Sequence, residues 1–100
     1  MAKEYNIINN EKLKRFEIHE GDEVAVLEYR FYQDDIAFMH TEVPKSMEGK
    51  GVASALAAYA FKYASEQKKP VMVYCPFVSS YVKRHPEVRE QLDKEFHHLR

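Results

Sequence analysis

HTEVPKSMEGKGVASALAAYAFKYA, residues His40 to Ala64, is the stretch from which the rest of the chain is read. Its first residues have the composition of a strand end. Pro44 breaks the ladder, and Lys45 to Glu48 form a polar turn. Gly49-Lys50-Gly51 then places two glycines around a lysine, and a helix over Gly51–Gln67 follows. Val52, Leu56, Tyr59 or Ala60, and Tyr63 recur at helical spacing. Ala53, Ala55, Ala57 and Ala58 keep that helix narrow. A strand, a glycine loop and a helix N-terminus together suit an anion, because glycine permits close backbone approach and the first-turn N–H groups are unpaired. The expected ligand is a phosphate group, with a pyrophosphate as the leading choice. The same glycines serve equally well in a bare turn. The G-x-x-x-x-G-K-[ST] phosphate loop is absent, since Gly51 follows Lys50, and the dinucleotide pattern G-x-G-x-x-G fails at Ser54.

Outward from this stretch, the upstream chain alternates. Glu4–Asn9 reads as a short first strand. Leu13–Glu20 reads as a second, with Phe16 and Ile18 on one side and Glu17 and His19 on the other. Glu20-Gly21-Asp22 marks a hairpin turn. Val24–Tyr32 follows, with Ala25, Leu27, Tyr29 and Phe31 on one face and Glu28, Arg30 and Tyr32 on the other. Gln33-Asp34-Asp35 turns the chain into an apolar, central fourth strand over Ile36–Val43. Downstream of the helix, Lys68-Lys69-Pro70 is a stop, and Val71–Cys75 reads as a buried strand parallel to the fourth. Phe77–Arg84 and Glu87–His97 read as helices, the second with Val88, Leu92 and Phe96 as its apolar stripe. The expected class is mixed α+β: an antiparallel meander, then a strand-helix-strand parallel pair, with C-terminal helices.

Composition sets the bounds. One hundred residues make one domain over 1–100, and 45% hydrophobic content with thirteen aromatic residues supports a small core. No run approaches the roughly eighteen apolar residues of a membrane span, and MAKEYNIINNEK has no signal-peptide core, so a cytoplasmic location without membrane partners is expected. A net charge of −1 argues against a nucleic-acid partner. The single cysteine, Cys75, excludes an internal disulfide, and no metal site is expected. His97-His98 has no partners at metal-ligand spacing, and His19 is expected to face water.

Glu48-Gly49-Lys50-Gly51-Val52-Ala53 resembles the acetyl-coenzyme A loop of the GCN5-related N-acetyltransferases, Q/R-x-x-G-x-G/A, except at its first position. With HTEVP before the loop and CPFVSSYVKRHPE after the helix, the chain from about Val24 to Glu87 is similar to the small, single-domain YjdJ-like branch. The resemblance implies the GNAT-like fold and an acetyl-CoA-dependent N-acetyltransferase with coenzyme A and an unidentified amine as its partners. By the same resemblance the fourth and fifth strands splay apart, and the backbone of Thr41, Glu42 and Val43 pairs with the pantetheine arm. Gly49, Lys50, Gly51, Val52 and Ala53 hold the pyrophosphate, with the Ser54 hydroxyl beside them. Lys50 either meets phosphate or only solvates the loop, and Glu48, standing where the family has a donor, weakens binding.

The family pattern also places Cys75 at the thioester, as an acetyl acceptor in a covalent route or as a packed residue, with His40 opposite as its base or as a core histidine bonded to backbone. Tyr81 takes the position of the acid that protonates the departing thiolate, or packs under the sheet. Ser79 lies where relatives touch pantetheine, and Lys83 and Arg84 face the 3′-phosphate or solvent. Two further readings stand beside the enzyme: a non-catalytic module binding coenzyme A or acyl-CoA, and a small α+β protein-interaction domain. Without the extra helices and strands of larger relatives, the acceptor pocket is open, shared or absent. The expected assembly is a monomer or a weak homodimer.

Overall fold

The computed structural model describes residues 5–94. Five strands form one sheet in sequence order: β1 (Ile8–Asn10), β2 (Arg15–Glu20), β3 (Glu23–Tyr32), β4 (Asp35–Glu42) and β5 (Val71–Val73). The first four are antiparallel neighbours, and β5 joins β4 in parallel. Helix α1 (Val52–Glu66) is the crossover between β4 and β5, and α2 (Pro76–Arg84) follows β5. The meander and parallel pair expected from the alternation are therefore present.

The core sits between one face of this sheet and the helices. Phe16, Ile18, Leu27, Tyr29, Ile36 and Phe38 form a single buried cluster with Leu56, Ala57, Ala60 and Phe61 of α1 and Val78, Tyr81 and Val82 of α2. Because β side chains alternate, Glu17, Val26, Ala37 and Met72 point to the opposite face, where all four are nevertheless buried. The alanines of α1 let it lie close: Ala57, Ala60 and Ala64 are fully buried. Tyr59 and Tyr63 extend the cluster with edge-on contacts to Phe16, at 5.3 and 5.4 Å between ring centroids.

Several elements depart from their sequence reading. Strand β1 starts at Ile8, with Tyr5 and Ile7 packed on the core as irregular chain; Glu4, the expected start, lies outside the described residues. Leu13 and Lys14 belong to the turn before β2, with Lys14 left-handed at φ 55°. Val43 lies past the end of β4, and β5 stops at Val73 rather than at Cys75. The turn after Pro44 is a 3-10 turn over Lys45–Met47 whose Met47 side chain is fully buried, so it is not simply polar.

Glu87–His97 is not a helix where it is described. Pro86–Gln91 forms a 3-10 turn, and Leu92 bridges to Val71 as a parallel extension of the sheet edge. The extended Leu92 backbone ends helical geometry after two 3-10 turns. Phe96, His97 and His98 lie outside the described residues. Phe31 is 42% exposed, its ring met by the ammonium groups of Lys14 and Lys69 at 5.9 and 5.2 Å.

Candidate active site

The site begins with a defect in β4. Tyr29 faces Phe38 and Glu28 faces His40, so Met39 is an extra residue on β4, a β-bulge. A bulge bends its strand. The β4–β5 ladder runs through Ile36↔Val71, Ala37↔Met72 and Phe38↔Val73 and then ends. The amides of Tyr74 and Cys75 both donate to the Phe38 carbonyl, at 3.0 and 3.1 Å, which turns the chain out of β5 and into α2. Strand β4 continues without it for Met39–Glu42, paired to β3 alone. A wedge thus opens between the two strands beyond Phe38.

The glycine loop stands at the mouth of that wedge, between the end of β4 and α1. Gly49 and Gly51 are left-handed, at φ 77° and 75°, and Gly51 caps α1 with its carbonyl accepting from the Ala55 amide at 3.0 Å. Gly49, Lys50 and Gly51 are exposed, and open space lies where either glycine would carry a Cβ. Val52 anchors the loop in the core, while Ala53 and Ser54 are half-buried in the first turn. No acidic side chain occupies that first turn. Glu48 is exposed just before the loop.

Lys50 does not point freely outward. Its ammonium pairs with Glu20 at 3.2 Å, and its carbonyl accepts a hydrogen bond from the Tyr5 hydroxyl at 2.6 Å. Neither partner was signalled by the sequence. Glu20 is thirty residues away in the β2–β3 hairpin and Tyr5 forty-five residues away, and no local spacing links them to the loop.

At the depth of the wedge, Cys75 is buried, and its sulfur lies 3.2 Å from the Thr41 hydroxyl. This corrects the expected pairing with His40. The bulge changes the parity of β4, so that Thr41 shares the inward face with Leu27 while His40 sits beside Glu28 on the other. His40 is more than half exposed and contacts Glu42 at 3.4 Å. Thr41 and Glu42 lie on the margin of β4 that β5 leaves unpaired, and Val43 on its exit.

Tyr81 is buried in α2, stacked on Phe61 at 6.0 Å and on His85 at 4.2 Å. Burial, reinforced by the Glu87 carboxylate, raises its pKa, with Arg84 opposing. Ser79 is exposed in the first turns of α2, its amide donating to the Cys75 carbonyl at 3.0 Å. Lys83 and Arg84 are exposed at the helix end, where Arg84 lies over the Phe77 ring at 5.7 Å. Among the described residues, no three of His, Cys, Asp and Glu gather as metal ligands, and no helix is long and apolar enough to cross a membrane.

A separate depression lies elsewhere. About 570 Å³ lies between the end of α1 and residues 90–94, lined by Lys68, Lys69 and Gln91 among others. It is broad and open, at the far end of α1 from the glycine loop. The loop and wedge carry the stronger chemical argument.

Comparison with known proteins fits this geometry. The family model for GCN5-related N-acetyl-transferase matches residues 15–92, from β2 to the Leu92 bridge. The chain belongs to the GCN5-related N-acetyltransferases. The protein NATD1 of Xenopus tropicalis is 33% identical over 63 residues, and that of Homo sapiens 35% over 63. Both alignments cover 62% of this chain but only 58% and 56% of those proteins, so the chain spans little more than half the length of these relatives. The NMR solution structure of a GCN5-like protein from Staphylococcus aureus superposes with a TM-score of 0.70 and 23% identity, over 95% of this chain and 97% of that one. This likeness shows that the N-acetyltransferase fold extends over nearly the whole chain.

Proposed function

We propose that this member of the family binds acetyl-coenzyme A and transfers its acetyl group to an amine. The observation that carries the reading is the exposed Gly49-Lys50-Gly51 loop at the mouth of the β4–β5 wedge. A diphosphate at the loop and a linear thioester arm in the wedge use two features that a plain sheet has no reason to build. The loop offers backbone donors at the positive end of α1. The free margin of β4 offers Thr41, Glu42 and Val43 backbone groups to the amides of the pantetheine arm. Ser54 in the first turn of α1 and Ser79 in α2 are the hydroxyls we assign to this ligand, with Lys83 or Arg84 for the terminal phosphate. Glu20 and Glu48 leave little net positive charge at the loop, so the amides supply most of the grip.

The chemistry asks little more of the protein. A thioester is already activated, so the chain must fix it beside a neutral amine and return a proton to the departing thiolate. Tyr81, a buried phenol that is protonated at neutral pH, is the group proposed for the second task. Direct transfer is favoured over a route through acetylated Cys75. The cysteine's neighbour is a hydroxyl, whereas a thiolate is stabilised by a cation or a base, and His40 lies on the other face.

Titration with coenzyme A, followed by amide shifts, tests the reading. Shifts are expected across Gly49–Ser54 and Thr41–Val43, and a protein unresponsive at millimolar ligand refutes it. Mass spectrometry after incubation with acetyl-coenzyme A separates the routes. An added acetyl group lost in Cys75→Ala would establish the covalent one. Tight binding without turnover on a panel of amines would leave a binding module.

A further inference from the structure

The geometry points to Tyr5 as the positioning residue of the coenzyme loop: its hydroxyl fastens the Lys50–Gly51 peptide and thereby sets the direction of the Gly51 amide. The inference rests on the function proposed above. Tyr5 packs against the core as irregular chain ahead of β1, and its hydroxyl donates to the Lys50 carbonyl at 2.6 Å. Lys50 stands between two left-handed glycines, φ 77° at Gly49 and 75° at Gly51, with no cis peptide among the described bonds. Each of the two peptide planes around Lys50 has a glycine at one end, which lowers its cost of rotation. In a trans peptide the carbonyl and the following N–H point in opposite directions. With the Lys50 oxygen on Tyr5, the Gly51 N–H is directed away from Tyr5.

A flipped peptide would present an oxygen where a phosphate needs a donor. Holding the plane before the ligand arrives removes an ordering cost from binding and leaves the amide preorganised. A second tie acts on the same residue, since the Lys50 ammonium is paired with Glu20 at 3.2 Å on the β2–β3 hairpin. The loop is thus secured by two elements that belong neither to β4 nor to α1. Tyr5 contributes this through one hydroxyl while its ring packs, so the two roles separate in a single substitution.

Tyr5→Phe keeps the ring and removes the tie. Calorimetric titration of the full chain with coenzyme A and with pantetheine, which lacks the pyrophosphate, reads the effect. Loss of one hydrogen bond's worth of preorganisation predicts a roughly threefold to tenfold weaker coenzyme A affinity in the variant. Pantetheine affinity is expected to be unchanged, and the Gly51 amide of the ligand-free variant to exchange faster with solvent. Equal loss for both ligands would mean that Tyr5 only supports the fold, and would overturn the inference. So would wild-type coenzyme A affinity in Tyr5→Phe. A wild-type protein that ignores coenzyme A removes the functional reading first, a result distinct from either of these.

Discussion

Gly51 and Glu17 show how differently a single residue can constrain this protein. At Gly51 the constraint is conformational: an added Cβ meets nothing within 4 Å, yet φ 75° disfavours any L side chain, most of all a β-branched one. Gly51→Val is expected to abolish detectable coenzyme A binding while costing the fold only about 1–2 kcal/mol. Parallel ligand titration and thermal melts check this, and a variant with wild-type affinity would remove the loop from the site. At Glu17 the constraint is electrostatic. Burial alone would raise its pKa, but hydrogen bonds from His19, Arg15 and Asn10 outweigh that and lower it from 4.5 to about 2. A depressed carboxylate stabilises the native state fully above its unfolded pKa, and that contribution is lost as pH falls from about 4.5 toward 2. Glu17→Gln should flatten the acid limb of a stability-against-pH curve, with up to about 3 kcal/mol at stake near neutrality. An unchanged acid limb would show the network to be unimportant.

Among the elements, α1 and β4 divide what could be read in advance from what could not. The helix was legible because its alanines and its 3.6-residue apolar repeat point to the same close-packed face. Ala60→Leu should therefore overpack the seam and destabilise the domain by about 1–3 kcal/mol. Urea unfolding would measure it, and a wild-type midpoint would mean that the helix has slack against the sheet. Strand β4 was legible as a strand but not as a bulged one. Period-2 counting carries no mark for the extra Met39, and one unpaired residue moved His40 off the face on which Cys75 lies. Thr41, expected to act only through its backbone, turned out to be the side chain beside the thiol. Glu17 stands on the side that alternation gave it, opposite Phe16 and Ile18, but its burial depends on neighbours across two strands, which no local pattern marks. The final segment failed on the extended Leu92 backbone and its bridge to Val71, which outweighed the apolar spacing of Val88 and Leu92.

At the scale of the whole molecule, the strand order, the crossover and the loop's place between them followed from patterns along the chain. The ties that bring Tyr5 and Glu20 to the loop did not, because they join distant segments. The molecule is also unevenly knit. The antiparallel part is laced by long ladders, six pairs between β2 and β3 and seven between β3 and β4. Strand β5 adjoins β4 through three pairs, supported by the Leu92 bridge and the packing of α2. A jaw hinged on so short a seam should breathe before the rest of the body does. Hydrogen–deuterium exchange is expected to show the amides of Val73 to Cys75 opening well below the global unfolding energy, and those of Leu27 and Tyr29 only with it. If the two sets open together, the seam is as firm as the ladders. If they part, then under the proposed function the escape of a spent ligand would pass through that jaw, and a mutation far from any reacting atom could set the pace of turnover.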